Sequence, residues 1–132
     1  MISPRPFTPL PAPGDIVWCK FPERLGTPGP KSRPGLVIGV FDEERKVRVC
    51  YGTSQKTDRI YPGEFVLDPD DDGFPLSGLG ARTKFDLNHT FDLAFDTDWF
   101  AMHSSLVPAI PLPKMGSLHS SYMQAIKKAQ SR

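Results

Sequence analysis

The chain has 132 residues, 39% of them apolar, a formal net charge of +1 and a mean hydropathy of −0.32. That length supports one domain around one core, the composition is that of a water-soluble globular protein, and no apolar stretch approaches the roughly 20 residues of a membrane helix. The near-zero charge speaks against a general polyanion binder, and an N-terminus without a charged region leading into an apolar run leads us to expect a cytoplasmic protein with no signal peptide.

The charge is unevenly placed. Residues 20–59 carry nine Lys/Arg against five Asp/Glu, residues 60–100 carry two against nine, and residues 101–132 carry a net +4. Such a field steers different partners to different faces, or is simply an uneven solvated surface. Cys19 and Cys50, the two cysteines, lie in apolar runs and read as buried structural thiols. Two cysteines do not make a four-ligand zinc site. His89, His103 and His119 have no metal-ligand spacing, so no metal and no cofactor are expected.

Residues 1–13 hold Pro4, Pro6, Pro9, Pro11 and Pro13. Proline fixes φ and lacks an N–H, so this arm is extended or disordered, a tail along the domain or a ligand of an SH3-type partner. Residues 14–132 form the single domain. Asp15 to Phe21 alternates, with Val17, Cys19 and Phe21 on one side and Ile16 and Trp18 on the other, which predicts a strand covered on both faces. Residues 22–34 are rich in Pro and Gly and form a long connection, a place where function often resides.

Gly35 to Phe41 is an apolar strand, and residues 42–45 turn it back. Lys46 to Tyr51 returns with Val47, Val49 and Tyr51 on one face and Lys46, Arg48 and Cys50 on the other. Glu64 to Leu67 is a short strand. The acidic turn at residues 68–73 lacks the alternating ligands and distal Glu of a calcium loop. Residues 82–87 alternate once more, with Thr83, Phe85 and Leu87 inward and Arg82, Lys84 and Asp86 together on the other face. Across residues 88–116, Leu93, Phe95, Trp99, Phe100 and Met102 read as core or interface, while Pro108, Pro111 and Pro113 exclude a helix. A helix over 117–130 is expected, capped by Ser117, with Leu118, Tyr122, Ala125, Ile126 and Ala129 on one face and Lys127 and Lys128 at its C-terminal end. The sum is a mainly β protein: a small, strongly twisted antiparallel sheet or SH3-like barrel with a C-terminal helix.

Arg33 is the residue that speaks most directly of function. It opens Arg33-Pro34-Gly35-Leu36, nineteen residues after Gly14-Asp15-Ile16-Val17-Trp18 begins, and Gly52-Thr53-Ser54-Gln55 follows, with Thr53 twenty residues after Arg33. One cation, two hydroxyls and an amide at strand edges suit phosphate chemistry. These three segments, in this order and at these spacings, resemble the MazF/PemK-like toxin family. The match runs from about residue 14 to 67 and continues more loosely through Thr83-Lys84-Phe85-Asp86.

The resemblance implies an SH3-like barrel, usually a homodimer, that cleaves single-stranded RNA without a metal and is restrained by a small antitoxin protein. It matches Arg33 to the family's catalytic arginine and Thr53 to the threonine beside the scissile phosphate, with Ser54 the adjacent hydroxyl. Arg82 and Asp86 fall where some members carry a further charged pair. The dense prolines of 22–34, the proline arm and the long aromatic stretch after residue 86 depart from the family's pattern.

RNA carries its own nucleophile, the 2′-OH, so cleavage leaves a 2′,3′-cyclic phosphate and a 5′-OH. Arg33 suits the phosphate, since a guanidinium stays protonated and donates two parallel bonds. Thr53 and Ser54 could donate to the same phosphate, Gln55 read a base edge and Lys56 hold a neighbouring phosphate. Asp86 is the expected general base, although Arg82 and Lys84 on its face would weaken it. His89 lies nearby and is the other candidate, its alternative being simple exposure. Trp18 and Tyr51 could stack bases or fill the core. Arg33 could instead pair with Asp15 or Glu64. Two other functions fit the residues: a barrel that binds nucleic acid or peptide without cutting, and an inhibitor whose clustered aspartates mimic nucleic acid.

Overall fold

The computed structural model describes residues 3–24, 26–102 and 112–131. Pro108, Pro111 and His103 lie outside them. Six strands form one curled antiparallel sheet: β1 (Asp15–Cys19), β2 (Arg33–Phe41), β3 (Lys46–Thr53), β4 (Glu64–Leu67), β5 (Thr83–Ala94) and β6 (Lys114–Ser117). Their order across the sheet is β4-β5-β3-β2-β1-β6. One short helix, α1 (Met123–Gln130), ends the fold.

The sheet is covered on both faces, as the period-2 pattern of β1 and β3 requires. Ile16, Leu36 and Cys50 pack with Phe65, Leu67, Phe85, Tyr122 and Ala129 of one cluster. The residues between them, Val17, Cys19, Val37, Val47 and Val49, pack with Phe21, Leu93, Phe95 and Phe100 in the other. Both cysteines are buried and unpaired. Burial pushes the Cys19 thiol far up; burial, and secondarily the charge of Asp86, pushes Cys50 up to about 12.

The proline arm is docked. Phe7 N–H donates to Phe95 O at 3.0 Å, Arg45 Nη2 donates to Phe7 O at 2.8 Å, and the Phe7 ring lies 5.6 Å from that of Phe95. Extended backbone that cannot form a helix still completes a sheet face when its apolar side chains find a core.

Several boundaries differ from the sequence reading: β1 stops at Cys19 rather than Phe21, and β3 runs on to Thr53. β2 begins two residues early and takes in Arg33 and Pro34, because Cys19 and Trp18 of β1 pair with them. β5 runs on to Ala94, pairing Thr90–Ala94 with Lys46–Cys50, so the stretch expected to be irregular starts as strand. Ser117 is not a helix cap. It ends β6 opposite Asp15 and donates its Oγ to Asp15 Oδ1 at 3.2 Å. The chain turns first through a 3-10 segment at Ser120–Tyr122, capped by the His119 side chain, which accepts from Ser121 N–H. Met102, expected in core or interface, is 52% exposed and so not in the core.

Candidate active site

Arg33 is the first residue of β2 and Thr53 the last of β3, on neighbouring strands. Gly35 pairs with Tyr51, and continuing that register two residues sets Arg33 opposite Thr53, on the side of the sheet that carries Tyr51. Gly52 permits the approach: a Cβ there would collide with the Pro34 carbonyl and the Phe85 ring. The Arg33 guanidinium sits 5.9 Å from the centre of the Tyr51 ring, within reach of a cation–π contact. Among the described residues no carboxylate forms an ion pair with Arg33: Asp15 pairs with Lys114 at 3.2 Å and Glu64 with Lys84 at 3.1 Å. The guanidinium thus keeps donors for a ligand.

A cavity of about 80 Å³ opens beside it, lined by Arg33, Lys31, Glu23, Tyr51 and His89 between the rings of Phe21 and Phe91. A wider groove of about 430 Å³ adjoins it and shares Glu23 and Phe91, with Leu93 and Trp99 on its wall. Thr53 Oγ1 accepts from Gln55 N–H at 3.1 Å, which folds the turn into Ser54-Gln55-Lys56 and leaves the hydroxyl proton to donate. Ser54, Gln55 and Lys56 are exposed on that loop.

His89, named from the sequence as the other candidate base, lines the same cavity. Cys50 pairs with Thr90, yet the next residue of β3, Tyr51, pairs with Asp86. Leu87, Asn88 and His89 therefore have no partner on β3, a bulge that re-aims a side chain. Asp86 Oδ1 accepts from Asn88 N–H at 2.9 Å and helps shape it. The His89 ring then stacks on Tyr51, centroids 5.1 Å apart and planes 30° apart, and meets Phe91 at 5.2 Å. The legible signal was a polar Asn-His-Thr run interrupting an otherwise alternating strand.

Four expected site residues stand elsewhere. Arg82 is held by Asp68 at 2.7 Å and donates to Thr57 O at 3.2 Å. Lys84 is buried, its Nζ donating to Glu64 Oε1 at 3.1 Å and Arg59 O at 2.8 Å. Neither cation forms an ion pair with Asp86, and Asp86 lies outside the Arg33 cavity. Trp18 pairs with Pro34 rather than Arg33, so it points to the opposite side of the sheet from the Arg33 guanidinium. With Asn88, which donates to Pro62 O at 3.3 Å, Arg82 and Lys84 instead pin successive carbonyls of the 54–63 loop.

Several acidic residues of the 60–100 region are likewise engaged within the chain. Asp71 accepts from Tyr122 Oη at 2.9 Å, Asp68 holds Arg82, and Asp92 holds Arg48 at 2.7 Å. The Arg48 bond keeps the Asp92 carboxyl below the usual range. Among the described residues no group of three or more His, Cys, Asp and Glu is placed to hold a metal ion.

The structure is thus a small curled β sheet in which Arg33, joined to no carboxylate among the described residues, lines an aromatic-walled cavity. The chain belongs to the family of PemK-like, MazF-like toxins of type II toxin-antitoxin systems, which it matches over residues 12–94, from the end of the arm to the last residue of β5. Its fold is similar to a solved structure described as an endoribonuclease from mycobacterial species. The two are 15% identical with a TM-score of 0.56, over 95% of this chain and 91% of that one. No curated protein matches the chain closely enough to count as a relative.

Proposed function

We propose that this toxin is a metal-independent endoribonuclease. It cuts single-stranded RNA at particular sequences by attack of a 2′-OH on the adjacent phosphate, leaving 2′,3′-cyclic phosphate and 5′-OH ends. The observation that carries this reading is Arg33: half-buried, held over Tyr51, joined to no carboxylate and facing a cavity with Thr53 across the strand. The family and the described relative support it.

In this reading Arg33 donates to the phosphate oxygens as the phosphorane forms, and a preorganised donor of that kind is worth about 3–4 kcal/mol in the transition state. The Thr53 hydroxyl, and beside it Ser54, donates to the same group. Gln55 reads a base edge and Lys56 meets a neighbouring phosphate from the loop that Arg82, Lys84 and Asn88 hold in place. A small antitoxin restrains the enzyme by laying an acidic segment against Arg33, Lys31 and Arg24, and the enzyme acts as a homodimer.

The test is to incubate purified protein with a long single-stranded RNA in EDTA, beside Arg33→Ala. Discrete cuts are expected, reduced by roughly 100-fold or more in a variant that melts at the wild-type temperature. An equally active Arg33→Ala, or a folded wild type that leaves the RNA whole, sinks the reading. In the second case the fold serves as a binding module.

A further inference from the structure

The Arg33 cavity contains a proton-transfer group that the family resemblance does not supply. The geometry points to His89 as the general base of the RNA cleavage reaction, an assignment that rests on the function proposed above. Its imidazole is exposed at the cavity that Arg33 lines. It is held there by two ring contacts, to Tyr51 and Phe91, and by the three-residue bulge that breaks the pairing of β5 with β3. That bulge would be a cost in an ordinary strand; here it accompanies an imidazole that lines the same cavity as Arg33. Asp86, the carboxylate expected in this role, accepts the Asn88 N–H within the bulge and thereby positions His89.

The step balances without a co-reactant. Neutral imidazole takes the 2′-OH proton as O2′ bonds to phosphorus, while Arg33 donates to the non-bridging oxygens. The P–O5′ bond breaks, and the 5′-oxygen takes a proton from water and leaves as a hydroxyl. The imidazolium returns its proton to the resulting hydroxide. Stacking on Tyr51 keeps the ring's edge nitrogens, rather than its face, available to the substrate. The charged and titratable groups around the ring are Tyr51 from β3, Arg33 from β2, and Lys31 and Glu23 from the connection between β1 and β2. A base that must be unprotonated to take the 2′-OH proton gives activity that rises with pH to a plateau.

Three variants test the assignment, each checked for folding by thermal melting. His89→Phe preserves ring stacking and removes proton transfer. It should lower kcat by roughly 100-fold, leave KM near the wild-type value and abolish the acidic limb of the pH profile. His89→Ala should be comparably slow and regain activity when free imidazole is added. Glu23→Gln should retain the acidic limb. A His89→Phe enzyme at the wild-type rate would make His89 a stacking surface and overturn the assignment. So would a His89→Ala enzyme indifferent to imidazole, or an acidic limb that disappears with Glu23 instead. If the wild type cuts RNA in an Arg33-dependent way and the His89 variants fail these tests, this assignment alone falls. If the wild type leaves RNA intact, the proposed function falls with it.

Discussion

Two loops adjoin the central strands, residues 20–32 leading into β2 and residues 54–63 leaving β3, and they are held by opposite means. The 54–63 loop is cross-linked from outside: Arg82, Lys84 and Asn88 donate to the carbonyls of Thr57, Arg59 and Pro62, and Leu87 N–H donates to Gly63 O at 2.8 Å. Among the described residues of the 20–32 segment, the internal ties are the turn from Thr27 N–H to Arg24 O and the bond from Gly29 N–H to Lys20 O, both 3.2 Å. Pro22, Pro28 and Pro30 restrict that backbone without donating anything. The first loop is stiffened by partners on a neighbouring strand, the second by its own covalent chemistry. A loop that presents Ser54, Gln55 and Lys56 in fixed positions suits readout of a substrate. One that brings Lys31 and Glu23 to the cavity needs only a restricted path.

Breaking the first loop should have the larger effect. Lys84→Met leaves Glu64 in a buried site without its cation, and removing one partner of a buried pair costs about 3–5 kcal/mol. Urea unfolding should show a loss of that order, and limited proteolysis should find new cuts within 54–63. A variant with wild-type stability and an uncut loop would mean that Lys84 does not hold it. Gly29→Ala attacks the second loop. Its Cβ would collide with the Phe21 carbonyl oxygen, and forcing a group into packed space costs about 1–3 kcal/mol. A lowered melting temperature with the 54–63 loop still protected is expected; exposure of both loops would show that they are one unit.

The smallest effect lies away from both loops, in the other core cluster. Burial first, and then the bond to Asp71, hold the Tyr122 phenol above its ordinary pKa. The fold favours the protonated phenol, so its contribution is complete below the unfolded value of about 10 and is lost as pH rises beyond it. Tyr122→Phe should cost about 1 kcal/mol at neutral pH, flatten the loss of stability above pH 10 and leave RNA cleavage unchanged. An identical alkaline unfolding curve in the variant would remove Tyr122 from the account.

The sequence carried the sheet's two-sided cores openly, because Ile16 against Val17 and Cys50 against Val49 follow the period-2 rule without exception. Arg33 and Thr53 stood out in the sequence through the family resemblance, and they lie at the first residue of β2 and the last of β3. The partners of Arg82 and Lys84 were not: alternation assigns a polar side chain to a face but does not choose between solvent, substrate and a loop carbonyl twenty-five residues away. Helix onset was misplaced because the pairing of Ser117 with Asp15 is a long-range contact. The placement of His89 at the cavity was hidden for a similar reason, since a bulge depends on how two distant strands align.

The most direct measurement uses an RNA carrying one 2′-deoxynucleotide immediately 5′ of a mapped cut, in EDTA, beside the all-ribose strand. The account predicts that the ribose strand is cut to a 2′,3′-cyclic phosphate and that the substituted linkage survives, because its nucleophile is gone. Cleavage of the deoxy-substituted linkage at the ribose rate would contradict it, since the attacking oxygen would then come from somewhere other than the RNA.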